Sequence, residues 1–347
     1  MRIANSIKNQ HRTVPPTKPL TPEQVKNSAG GYVYTSTMWQ QLERFLILGT
    51  DGGTYYINES KLIATNLDAV RNCWKADAKR TAETIVKISN EGRAMKNDFA
   101  IAALAVGSTL TGEIASLAYN AVPSVCRIFT HLTSFLEMRA ALGVKPSGSG
   151  LKKCLCRWLL KNQNTESVMR AALKYKNRQG WTWRDVLRVA HPKVVGDMNT
   201  FFKWVISDKW EGEQVPKILE GYELAQKATE QSLPGIITNY SLEREMVPNT
   251  LFSKGAWTAL LQNLGYTAVL RNLNNMSMYP DFDFNAIVAK LQNKELLSKG
   301  KVHPLSIFVS RMQYASGRGN FSDRTWKPSQ KVIDALDDAY ENAFSFV

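Results

Sequence analysis

A chain of 347 residues, 44% of them hydrophobic, has enough apolar mass to bury a large core, which excludes a disordered polypeptide outside its amino end. Its formal net charge is +14, from 44 Lys and Arg against 30 Asp and Glu. The excess is localised, with eleven cations against Glu166 and Asp185 in residues 151–193 and five against Glu23 in residues 1–26. This points to a polyanion, nucleic acid ahead of an anionic membrane surface because aromatics alternate with the cations.

Residues 1–20, including RTVPPTKPL, read as a basic, proline-containing arm without a core-forming pattern, and residues 21–347 read as one helical domain. Thr21-Pro22-Glu23-Gln24 and Thr37 with Gln40 have the spacing of helix starts, and MWQQLERFLIL stops at Gly49. The glycine cluster of RFLILGTDGGTYY follows a helix and lacks the Lys-Ser/Thr of a P-loop, so it reads as a helix-ending turn. Phe99–Gly112 is the longest charge-free apolar run, and it is too short before Glu113 to span a bilayer. From Ser124 onward, Val125, Ile128, Phe129, Leu132, Phe135, Leu136 and Met138 trace the core face of a helix that stops at Gly143. VKPSGSG is a joint, and Val144–Gly150 is the best candidate for a boundary without splitting the chain into two domains. Further amphipathic segments fall near 152–162, 197–206, 216–231, 254–275 with a break at Gly265, 284–298, 304–315 and 329–345, while strand patterns are scarce. Helices of about 10 to 20 residues joined by short loops predict an all-α fold of stacked antiparallel pairs, an α-solenoid. Without an exact period, HEAT-like repeats fit better than TPR or ankyrin.

The densest stretch is KYKNRQGWTWRDVLRVAHPK, Lys174–Lys193. Arg170, Lys174 and Arg178 lie four residues apart on one helical face, with Val168, Met169 and Ala172 on another, and Gly180 ends that helix. Thr182 and Asp185 have capping-box spacing, so a second helix groups Arg184, Arg188 and His191 opposite Trp183, Val186, Leu187 and Ala190 before Pro192 stops it. With Lys176, and with Lys152, Lys153 and Arg157 on the preceding segment, these side chains predict a cationic ridge that docks phosphates. For any single charge the plain alternative is a solvated face whose stems cover apolar neighbours. Trp181 and Trp183 read as packing residues more than stacking platforms, and His191 at a helix end suits terminal carbonyls as well as RNA.

Cys73, Cys126, Cys154 and Cys156 form no C-x-x-C pair, and His11, His131, His191 and His303 are scattered, so neither metal, cofactor nor nucleophile–base pair is predicted. Asp281 and Asp283 read as a turn and a helix cap. The glycines of NSAGGYVY and SGRGN permit close backbone approach, with Arg318 a candidate RNA contact. Free cysteines and the lack of a signal peptide predict a cytoplasmic, reducing location.

Four stretches taken together resemble the TROVE-domain family of Ro ribonucleoprotein autoantigens. They are NSAGGYVYTSTMWQQLERFLILGTDGGTYYINESKL, KYKNRQGWTWRDVLRVAHPK, LEREMVPNTLF with WTALLQNLGYTAVLRNL, and KVHPLSIFVSRMQYASGRG, in the family's order from about residue 12 to 345. The resemblance implies a closed ring of HEAT-like repeats that binds small structured non-coding RNAs, the Y RNAs, on its outer surface. It also implies that single-stranded 3′ ends of misfolded RNA enter a central hole in RNA quality control, with an exoribonuclease such as polynucleotide phosphorylase as a partner. Lys174, Arg178 and His191 fall at the family's Y RNA-binding positions, while Lys176, Arg184 and Arg188 join them through spacing alone. The resemblance further suggests that the glycine-rich turn of RFLILGTDGGTYY lets the first repeat of a ring meet the last. Two departures stand out: Trp183 occupies a position where members commonly have His, and the D-x-S-x-S motif of the family's von Willebrand factor A-like domain does not occur. The expected function is non-enzymatic RNA binding by the ring. A HEAT-repeat scaffold for an acidic protein is the alternative, and an RNA-processing enzyme is a third reading.

Overall fold

Apolar periodicity and capping side chains divide the chain into eighteen α-helices and two small β-hairpins among the described residues. In the computed structural model these are residues 18–19, 21–26, 30–49, 59–94, 96–162, 164–175, 177–178, 180–319 and 323–346, with 59–66, 177 and 346 as backbone only. Strand β1 (Gln24–Lys26) pairs antiparallel with β2 (Tyr32–Tyr34), Val25 facing Val33. A capping box then opens α1 (Met38–Leu48): Gln40 N–H donates to Thr37 Oγ1 at 3.3 Å, and Thr37 N–H to Gln40 Oε1 at 3.0 Å. Gly49 closes this helix at φ 77°, and a Cβ there would lie 2.4 Å from the Phe99 ring, so only glycine fits.

Next come α2 (Glu59–Ala76), α3 (Ala78–Glu91), α4 (Asp98–Ser108), α5 (Gly112–Val125) and α6 (Phe129–Ala141). After Asp98, α4 carries no charge and is buried almost all round, the position expected of a helix without a polar face. It packs against α1, α2, α3, α5 and α6. Helices α7 (Ser149–Leu159) and α8 (Thr165–Lys174) follow, then a hairpin of β3 (Asn177–Arg178) and β4 (Trp181–Thr182), and then α9 (Trp183–Ala190). The second half comprises α10 (Gly196–Ser207), α11 (Lys217–Gln226), α12 (Leu233–Tyr240), α13 (Lys254–Asn263), α14 (Tyr266–Ser277), α15 (Phe284–Leu291), α16 (Lys294–Gly300), α17 (Pro304–Ala315) and α18 (Gln330–Ala343).

Helices pack on their neighbours and on the next but one: α3 on α5, α5 on α7, α7 on α9, α14 on α16. This is the stacking of a solenoid, one continuous core shared by successive pairs. The array also turns back on itself, because the Lys301 ammonium after α16 donates to the Asn90 carbonyl near the end of α3. Other cations sit at helix ends in the same way. Lys161 Nζ reaches the Cys126 carbonyl at 2.8 Å, and Arg127 donates to the Ser89 carbonyl at 3.1 Å, satisfying carbonyls that α5 and α3 leave open. No described helix is long and apolar enough to cross a membrane.

The structure departs from the spacing in several places. Thr21–Glu23 forms a turn into β1 instead of a helix start, since pairing of Val25 with Val33 commits the segment to a hairpin. The apolar run from Ser124 is broken at Cys126–Ile128 between α5 and α6; Cys126 and Phe129 are both fully buried, so the pattern continues through a reversal. Residues 216–231 hold only α11, and α12 begins afresh with Pro234 in its first turn. Residues 284–298 divide into α15 and α16, because Asn293 accepts from Leu296 N–H at 2.8 Å and caps a new helix. Gly49 approaches Phe99 of α4, not the last helices, while residues 50–56 of the glycine-rich motif and residues 1–17 of the arm lie outside the described residues.

Candidate nucleic-acid interface

Helix α7 buries Leu151, Cys154, Leu155, Trp158 and Leu159, and the same periodicity leaves Lys152, Lys153 and Arg157 on its exposed face. That face lines an open cleft of about 490 Å³ together with Ser149 and Cys156. Cys156 Sγ donates to the Ala190 carbonyl at 3.2 Å, which fastens the cleft to the end of α9, one residue before His191. Arg157 bonds the Asn120 side-chain oxygen, whereas Lys152 and Lys153 have no carboxylate partner among the described residues.

Helix α8 ends earlier than the spacing suggests. Tyr175 caps it, donating to the Ala171 carbonyl at 3.0 Å, and the chain turns into the hairpin, where Arg178 faces Trp181 and Asn177 faces Thr182. Arg178 is therefore on β3, not on the helical face of Arg170 and Lys174, and Gly180, at φ 74°, serves the two-residue hairpin turn and does not end the helix. The Tyr175 ring nonetheless reunites two of the three cations: Lys174 Nζ and the Arg178 guanidinium each lie 5.5 Å from its centre. Lys176 lies outside the described residues.

Three ridge cations carry internal counter-charges. Arg170 pairs with Glu166 at 2.9 Å and donates to the Ser241 carbonyl, also at 2.9 Å. Arg184 pairs with Asp208 at 2.6 Å and reaches the Val205 carbonyl at 3.2 Å. Lys174 forms a close ion pair with Glu243; burial alone would lower its pKa, but the carboxylate outweighs burial and holds the ammonium above its ordinary value.

The capping box of α9 forms as the spacing requires, with Thr182 N–H donating to Asp185 Oδ2 at 2.9 Å and Asp185 N–H to Thr182 Oγ1 at 3.2 Å. Trp183, Val186, Leu187 and Ala190 are buried, and Arg188 is exposed without a counter-charge among the described residues. Trp183 stacks on Phe129 with ring centres 5.0 Å apart and is 4% exposed, so it makes no base contact. His191 caps α9 in the left-handed conformation, φ 46° and ψ 57°, its N–H bonded to the Leu187 carbonyl at 2.9 Å and its side chain exposed. Backbone, not imidazole, thus satisfies the helix end. Lys193 is exposed beside it.

The cationic surface accordingly has two parts. Lys152, Lys153, Arg188, His191 and Lys193 are exposed without carboxylate partners among the described residues, and Arg170, Lys174 and Arg184 are held in ion pairs. Spacing identified the cations but not Glu243, Asp208 or the bridging role of Tyr175.

The TROVE domain matches residues 25–214 and 213–318. An RNA-binding protein RO60 of Deinococcus radiodurans is 33% identical over 96% of this chain, and one of Caenorhabditis elegans is 25% identical over 92%. The chain spans 64% and 63% of the lengths of these two relatives. The crystal structure of the Deinococcus radiodurans RO (RSR) protein superposes with a TM-score of 0.72 at 30% identity, covering 90% of this chain and 64% of that one.

Proposed function

Because the chain belongs to the TROVE-domain family, we propose that it is a non-enzymatic RNA-binding protein whose α7–α9 surface docks the phosphates of a small structured RNA. The observation that carries this reading is the run of exposed cations, Lys152, Lys153, Arg188 and Lys193, without a counter-charge among the described residues and set around the left-handed His191 turn. Lys and Arg release counterions from the RNA backbone, while duplex shape and single-strand access supply selectivity. The exposed imidazole of His191 adds a ring hydrogen-bonding group at that turn. The family likeness further supports a Y or Y-like RNA as ligand on the outer surface and entry of single-stranded 3′ ends of misfolded RNA into a central hole. In quality control such RNAs would pass to an exoribonuclease such as polynucleotide phosphorylase.

Sequencing the RNA that copurifies with the chain tests the assignment. The expected result is enrichment of one or a few structured small RNAs, released on washing at high salt. A pool no different from total RNA overturns it, and RNA-independent capture of an acidic protein favours the scaffold reading instead.

A further inference from the structure

The turn that presents Glu243 to Lys174 is fastened without that ion pair. Leu242 and Met246 are fully buried, Arg170 donates to the Ser241 carbonyl at 2.9 Å, and Gln226 Nε2 donates to the Met246 carbonyl at 2.9 Å. Glu243 is the residue between these anchors whose side chain is spent on a cation of the candidate interface. The pair is part-buried but not sealed from solvent, with 28% of the Lys174 side chain and 26% of the Glu243 side chain exposed. Released from Glu243, the ammonium would remain beside Tyr175, whose ring also lies 5.5 Å from the Arg178 guanidinium, so two cations would share one aromatic ring. A carboxylate and a phosphate oxygen accept from an ammonium in the same way.

We propose that Glu243 is a built-in competitor for the RNA phosphate at Lys174, an internal surrogate that an incoming backbone must displace. This rests on the reading of Lys174 as an RNA contact. A ligand carrying many phosphates can hold the exposed cations of α7 and α9 while it exchanges with Glu243, whereas an isolated anion has only the one contested site. Glu243 therefore discriminates for an extended polyanion of fixed shape over small anions.

The test uses the full chain and a bulged stem-loop RNA transcribed in vitro, with affinity measured across a salt series for wild type, Glu243→Gln, Lys174→Ala and the double variant. The glutamine amide keeps the shape of Glu, and thermal melting checks the fold. Glu243→Gln is expected to tighten binding about two- to five-fold at low salt, the span of a partly exposed ion pair. It should also steepen the log–log salt slope by about 0.7 to 0.9, because Lys174 then takes up a phosphate without giving up a partner. Lys174→Ala should cost more in the Glu243→Gln background than in wild type. If Glu243→Gln weakens binding or leaves it unchanged while Lys174→Ala weakens it, Glu243 positions the lysine and the proposal fails alone. If Lys174→Ala changes nothing in either background, the reading of Lys174 fails and takes the proposal with it.

Discussion

His131 shows how neighbouring cations set the charge of one side chain. Burial, reinforced by Arg127 and Lys161, pushes its pKa down to about 4, and its ring nitrogen meets Asn97 Nδ2 at 3.3 Å. The unfolded chain takes up a proton near pH 6.5 that the folded chain refuses until about pH 4. Stability from this residue is therefore complete above about pH 6.5, falls as pH drops through the window, and levels off below about pH 4, a loss on the order of 3 kcal/mol at most. Chemical denaturation at pH 7.5 and pH 4.5 should show a smaller loss for His131→Gln than for wild type; equal losses would place the acid sensitivity elsewhere. The same logic limits what a sequence can reveal about a site. Residue types were legible, since Lys174, Arg178 and His191 stand in a recognisable motif, but charge partners were not. Glu243 is 69 residues from Lys174 and Asp208 is 24 from Arg184, separations that only packing of α8 and α9 against later segments closes.

At the scale of elements, local chemistry decided what could be read. Helix α9 was legible in full because its start depends on Thr182 and Asp185 and its buried face on a 3.6-residue period. The end of α8 was not, since Arg170, Lys174 and Arg178 keep an i, i+4 spacing through a helix that stops at Lys174. The available signal was the glycine before Trp181, which fits a two-residue hairpin loop as well as a helix end. Breaks within continuous apolar patterns, between α5 and α6 and between α15 and α16, were hidden for the same reason: burial persists through a turn, so periodicity alone does not mark it. Thr182→Ala tests the importance of the cap. Losing the Thr182 Oγ1 acceptor should cost about 0.5–2 kcal/mol, read as a lower urea midpoint at unchanged slope. Because the cap lies at the end of α9 opposite His191, RNA affinity of the folded fraction should stay as in wild type. A large loss of affinity without loss of stability would instead make the hairpin itself part of the interface.

Across the whole molecule, net charge overstates what a polyanion meets. Residues 151–193 hold eleven cations against two acids, but Glu243 and Asp208 reach in from outside that segment, and Glu166 answers Arg170 within it. The field seen from solvent is thus shifted toward α7 and the end of α9, where Lys152, Lys153, Arg188 and Lys193 are exposed. Salt dependence separates this distribution from a uniform ridge, because removing one cation that neutralises a phosphate flattens the log–log slope by about 0.7 to 0.9. Lys152→Ala with Lys153→Ala should flatten it by up to about 1.8 and weaken structured RNA uniformly across sequences. Arg170→Ala with Arg184→Ala removes the same formal charge from cations already spent on Glu166 and Asp208, so its slope should stay close to wild type. Affinity titrations of both double variants over one salt series decide the matter. Equal flattening would mean that RNA breaks the ion pairs of Arg170 and Arg184 on docking, and a larger effect of the arginine pair would move the interface off α7 altogether.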